Sequence, residues 1–168
     1  MQKISRENTC CFTGHRPSKL PWKTNERDLR CVKLKNTLYE IAESVYLSGV
    51  RHFICGMAEG CDLYFAEELF RLREKHPEIT VEAAIPCETQ ADAWTEEERN
   101  RYFRDVAGCD QETMVNRAYT RTCMAERNQY MVDCSSVLVA VYDGTLGGTM
   151  QTVHYAKKKR LEIILVWP

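Results

Sequence analysis

Three short segments carry residue types that could handle an anionic ligand. Thr13-Gly14-His15-Arg16-Pro17 sets a glycine, an imidazole and a guanidinium in consecutive positions. Arg16 offers a planar fork of donors that suits phosphate or carboxylate. His15 could hydrogen-bond a ligand or move a proton. The plainer reading is a rigid turn with two surface side chains. Gly56-Met57-Ala58-Glu59-Gly60-Cys61-Asp62 and Asp143-Gly144-Thr145-Leu146-Gly147-Gly148-Thr149 each place glycines just before an amphipathic stretch. Glycine lets a backbone approach a ligand closely, and a helix start behind it presents free N–H groups and partial positive charge. Neither segment is the dinucleotide fingerprint or a Walker loop. One such turn is an ordinary loop; two in one chain describe a cleft for a phosphorylated ligand. Met124-Ala125-Glu126-Arg127-Asn128 adds a further arginine. It either reaches the phosphate or sugar of a nucleotide or lies on the wet side of a core-facing helix. Trp94 could stack on a base, but reads first as a packing anchor. The basic run Lys157–Arg160 fits a solvated helix end.

The elements that must hold these segments alternate. Apolar runs predict strands at Thr9–Thr13, His52–Cys55, Ile79–Ile85, Ser136–Tyr142 and Leu161–Val166, with a further extended stretch at Thr113–Val115. Leu34, Leu38, Ile41 and Val45 mark one face of a helix from about Glu26 to Leu47. Asp62 is positioned to cap a second helix, running to about Lys75. Thr95 and Glu98 form a capping box for a third, running to about Ala107. Met124–Asp133 and Thr149–Lys159 predict two more. Pro17 and Pro21 argue for a helix-free loop over Gly14–Trp22. Continuous apolar strands alternating with helices predict an α/β, Rossmann-like three-layer sandwich: a mainly parallel sheet with helices on both faces. Ligands bind such sheets beyond the carboxyl ends of the strands. All three segments fall at strand ends.

The 168 residues predict one domain over 1–168. Twenty-three basic and 24 acidic residues leave a formal charge of −1, which argues against nucleic acid as a partner. The longest apolar runs are too short to span a bilayer, and the start has no apolar h-region. Nine cysteines without a C-x-x-C pair, beside four scattered histidines, predict reduced, mostly buried thiols in a cytoplasmic protein, with no metal or redox cofactor. A homodimer is the base-rate expectation for a cleft protein of this size.

Read together, the blocks CCFTGHRP, FICGMAEGCD, RNQYMVDCSSVLVAVYDGTLGGT and the HYAKK helix resemble the YpsA-like branch of the SLOG superfamily, over nearly the whole chain and in order. The resemblance implies a Rossmann-like fold that binds nucleotides or nucleotide-derived ligands at its glycine loops. It places Gly14, His15, Arg16, Gly56, Met57, Ala58, Gly60, Arg127, Asn128, Asp143, Gly144, Gly147, Gly148 and Thr149 at the ligand. The LOG proteins of the superfamily are phosphoribohydrolases, with an M-x-x-R-K block and a P-G-G-x-G-T-x-x-E block. Met124–Asn128 is similar to the first, so Arg127 takes the catalytic arginine's place. In the second, Gly148-Thr149 matches G-T, but Thr152 stands where the glutamate belongs. A hydroxyl neither stabilises an oxocarbenium-like centre nor activates water as a carboxylate does. Glu59, Asp62 or Asp143 would have to substitute, with Glu59 the first to test, or the protein binds without cleaving. The leading expectation is therefore a nucleotide-binding sensor or regulatory protein. A LOG-like phosphoribohydrolase is the enzyme alternative, and a DprA-like DNA-processing role comes third. Arg127→Ala is expected to lose ligand affinity while the fold survives.

Overall fold

Six strands form the sheet: β1 (Thr9–Gly14), β2 (His52–Cys55), β3 (Thr80–Ile85), β4 (Gln111–Met114), β5 (Val137–Val141) and β6 (Glu162–Val166). They are seen in a computed structural model that describes residues 3–168. Met1 and Gln2, the first residues of the domain expected over 1–168, lie outside the described residues. Every neighbouring pair is parallel, in the order β4-β3-β2-β1-β5-β6. The expected α/β, Rossmann-like arrangement is what the chain adopts.

Strand side chains alternate between faces, so each apolar run feeds two cores. Cys10, Phe12, Phe53, Val81, Ala83, Val137 and Val139 pack into one core. That core also holds residues of α1 (Leu29–Leu47), α2 (Cys61–Lys75) and α3 (Glu96–Gly108). Cys11, Ile54, Ala84, Leu138 and Ala140 point the other way, against α4 (Cys123–Asp133) and α5 (Gly148–Lys158). Helix α2 is buried on most of its circumference because it packs against both α1 and the strands. Phe65 stacks on Phe12 of β1 at 4.4 Å between ring centres, anchoring α2 over the central strand.

Most element boundaries differ from the sequence reading by a residue or two, and four departures have a physical cause. Helix α1 starts at Leu29, because Asp28 accepts the Arg30 N–H as its cap, while Glu26 turns to Arg101 and Lys35 instead. Asp62 is not the cap of α2. Gly60 holds that position at φ 84°, and Asp62, inside the first turn, reaches back to the Ala58 N–H at 3.1 Å. The loop after β1 contains a short 3₁₀ turn, Pro17–Lys19, where proline sits at a first helical position that needs no N–H. The extended stretch at Thr113–Val115 is instead strand β4, Gln111–Met114, a mostly exposed edge with little apolar pattern to reveal it. The Thr95 capping box forms as expected.

All nine cysteines are free, and seven are buried. Burial pushes the Cys11 thiol up to about 12, which keeps it protonated and inert. No group of metal-ligand type forms among the described residues, and no helix of the described residues is long and apolar enough to cross a membrane.

One buried carboxyl on α3 predicts a pH effect. Asp105 is 2% exposed; Arg104 donates to its Oδ1, but Oδ2 has no partner. Burial, with nearby Glu67 adding to it, raises its pKa to about 6. A carboxyl with a raised folded pKa favours the native state while protonated, and that contribution is lost as pH rises through about 6. Asp105→Asn is therefore expected to melt higher than the parent at about pH 8, with the gap closing towards about pH 4. Melting curves across that range check it; a gap that does not change with pH contradicts it.

Candidate functional site

The strand order reverses between β1 and β5, and that is where a parallel sheet opens a crevice at its carboxyl edge. A cleft of about 260 Å³ lies there, at the small end of small-molecule sites. Its walls come from the loop after β1, the turn into α2, the inner face of α4 and the start of α5.

The two glycine segments do different work. In the first, two N–H groups are used within the protein. Ala58 donates to Asp62, and Cys61 donates to the His15 carbonyl at 3.3 Å. A Cβ on Gly60 would lie 2.9 Å from Pro17 Cδ and 3.0 Å from the His15 oxygen, so this glycine lets the first loop lie against α2. The second segment is open. Gly147 precedes α5 without a side-chain cap, and the N–H groups of Gly148, Thr149 and Met150 have no acceptor among the described residues. They lie at the positive end of α5, and Gly148 and Thr149 line the cleft. Nothing lies within 4 Å of where a Gly148 Cβ would be.

Arg127 is buried, at 4% exposure, rather than on a wet helix face. Its Nη1 donates to the Gly56 carbonyl, to Ala84 O at 3.4 Å and to Gln90 Oε1 at 3.3 Å. Its Nε donates to Asn128 Oδ1 at 2.8 Å. The guanidinium thus ties the ends of β2 and β3 to α4 while still lining the cleft. A Cβ on Gly56 would lie 2.6 Å from Arg127 Nη1 and 2.9 Å from Asp62 Oδ2, so both side chains converge on that bare α-carbon. Asp62 is 6% exposed and lines the cleft. Oδ2 is held by Ala58, whereas Oδ1 accepts no hydrogen bond among the described residues. Burial pushes the Asp62 carboxyl up, and the Arg127 charge pulls it back. Burial likewise works against the Arg127 cation, which Asp62 supports.

Of the residues expected at a ligand, Gly14, Arg16, Ala58, Arg127, Asn128, Gly147, Gly148 and Thr149 line this cleft. His15, Gly56, Met57, Gly60, Asp143 and Gly144 do not. His15 is buried and straps the two sides of the crevice, its Nε2 lying 2.7 Å from Asp143 Oδ1. The Thr145 hydroxyl and N–H, with His15, hold the Asp143 carboxyl well below the usual range. Met57 turns the chain in the left-handed region, φ 55°, and buries its side chain in the core. Glu59 lines a separate hollow with Glu98 and Arg101, so the carboxylate in the cleft is Asp62 instead. Thr152 donates to the Gly148 carbonyl of its own helix and is buried. Trp94 packs edge-on against Tyr102 at 5.4 Å, as an anchor does. The sequence reading passed over Lys19, whose ammonium crosses the crevice to the Leu146 carbonyl. A basic residue in the same strand-end loop as Arg16 was the available signal.

Comparisons with known proteins follow this geometry. The sequence model of the YspA SLOG family matches residues 10–164. An uncharacterised SPbeta prophage-derived protein, YoqJ of Bacillus subtilis, is 31% identical over 143 residues, 77% of this chain and 84% of that protein. A UPF0398 protein of Bacillus velezensis is 26% identical over 153 residues, covering 89% and 83%. Among solved structures, DNA processing protein A of Helicobacter pylori, described for its single-stranded DNA binding mode, superposes with a TM-score of 0.61 at 15% identity. It matches 94% of this chain, which spans 64% of that one. DprA of Streptococcus pneumoniae gives 0.61 at 8% identity, and this chain spans 49% of it. These two likenesses establish the fold.

Proposed function

The chain belongs to the YspA SLOG family, and on that premise we propose that its switch-point cleft binds a nucleotide or nucleotide-derived phosphorylated ligand. The protein then acts as a cytoplasmic sensor or regulator built on one domain. One observation carries this reading: α5 begins with unpaired N–H groups, and its first residues, Gly148 and Thr149, line a cleft that Arg16, Lys19 and Arg127 also line. An anion there gains hydrogen bonds and charge at once. Met124 and Met131 give the same cleft an apolar wall suited to a base or sugar.

Calorimetric titration with the nucleoside monophosphates, ADP-ribose and NAD tests it. At least one is expected to bind with a dissociation constant of about 100 µM or tighter. Failure of every one overturns the reading. The DprA likeness puts single-stranded DNA back among the partners to be tried, against the expectation from net charge. A short oligonucleotide therefore belongs in the same titration.

A second reading, N-glycoside hydrolysis, is favoured by the free Asp62 oxygen in the cleft. Mass spectrometry of the incubated nucleotides is then expected to find released base with the parent and none with Asp62→Asn. Release that persists in the variant removes Asp62 from the chemistry.

A further inference from the structure

We propose that Lys19 closes the phosphate end of the cleft and restricts it to ligands that terminate in a phosphomonoester. The inference rests on the phosphorylated-ligand reading and narrows its substrate class.

The argument begins with where the ammonium sits. Lys19 ends the 3₁₀ turn after β1, and its Nζ donates to the Leu146 carbonyl, on the far side of the crevice. A Cβ on Gly147 would lie 2.6 Å from that nitrogen, so a side chain there would push the ammonium aside. The bridge therefore lies directly over the residue that precedes α5. An extended strand, whose phosphates each carry two substituents, would have to continue through this end. Lys19 stands in that path. A terminal phosphate needs no exit.

Charge points the same way. A cation beside a helix start is disfavoured by the helix dipole. Here it sits next to three unpaired N–H donors, with Arg16 exposed on the same wall and forming no ion pair among the described residues. Asp62, nine-tenths buried with one oxygen open to the cleft, is the carboxylate lining it. A bound dianion would give the Lys19 ammonium an ionised acceptor in place of a neutral carbonyl, so that both partners of the bond are charged. A phosphodiester brings one negative charge less and gains less from the exchange. The Asp62 carboxyl and the Arg127 cation offset each other within the cleft, which leaves Arg16 and Lys19 as its exposed cations.

Binding of a nucleoside 5′-monophosphate and of its methyl phosphodiester, measured on the parent, Lys19→Met and Lys19→Arg, tests the proposal. The parent is expected to prefer the monoester by about tenfold, and Lys19→Met to lose most of that preference. Lys19→Arg should keep part of it. Equal binding of both esters by the parent overturns the proposal, as does a preference that survives Lys19→Met. Tighter binding of an oligonucleotide than of any monophosphate also overturns it. Binding of ADP-ribose or NAD with neither ester bound also overturns it, whereas failure of all four defeats the phosphorylated-ligand reading itself. A melting temperature shared by parent and Lys19→Met separates lost recognition from lost folding.

Discussion

Arg127→Ala is expected to lower stability by about 3–5 kcal/mol, the range for removing one partner from a buried charged network. The guanidinium is 4% exposed and bonds to the Gly56 and Ala84 carbonyls, Gln90 and Asn128. Without it those acceptors lose their donors, and Asp62 keeps a buried charge without its nearest cation. For a chain of this length such a loss lowers the melting temperature by roughly 6–20 °C. This amends the simpler expectation that the variant would lose ligand and keep its fold intact. Adding Asp62→Asn should recover part of the loss, because the uncompensated charge goes with it. A thermal shift below about 2 °C for Arg127→Ala would contradict the burial argument.

Gly14→Ala should cost nearly as much for a different reason. A Cβ there would lie 2.5 Å from Cys61 Cβ and 3.1 Å from the Phe12 ring. Neither neighbour can swing away. One Cβ is fixed to the first turn of α2, and the ring is stacked on Phe65. The end of β1 or the start of α2 must shift, at a cost of about 3 kcal/mol. Both carry walls of the cleft, so affinity for any ligand found there should fall with stability. By contrast, Gly144→Ala meets nothing within 4 Å and is limited to the strain of its φ of 85°. Denaturant curves on the two variants compare them; equal losses would contradict the close approach at Gly14.

The sheet was legible because β1, β2, β3 and β5 are apolar on both faces, a pattern that only a covered parallel sheet produces. Strand β4 was nearly invisible, since an exposed edge such as Gln111–Met114 needs no apolar run. Eight of the fourteen residues named from glycine and arginine positions at strand ends line the cleft. What those residues contact could not be read in the same way. Arg127 looks amphipathic by helical spacing, yet it is buried because carbonyls from two strand ends converge on its position, 71 and 43 residues away in sequence. Lys19 reaches Leu146 across a separation of 127 residues. The inequality of the two glycine segments has the same origin. Pro17 and the His15 carbonyl fill the space above Gly60, whereas the space above Gly148 stays open. Close packing between distant loops decides which glycine is enclosed by the fold and which is left open to the cleft.

The most direct measurement is an amide NMR titration of the protein with a nucleoside 5′-monophosphate. A ligand held by the start of α5 should shift the Gly148, Thr149 and Met150 amides first, with Gly14 and Ala58 following and the amino edge around His52 still. Shifts confined to any other surface, or none at saturating ligand, would contradict the assignment of this cleft as the binding site.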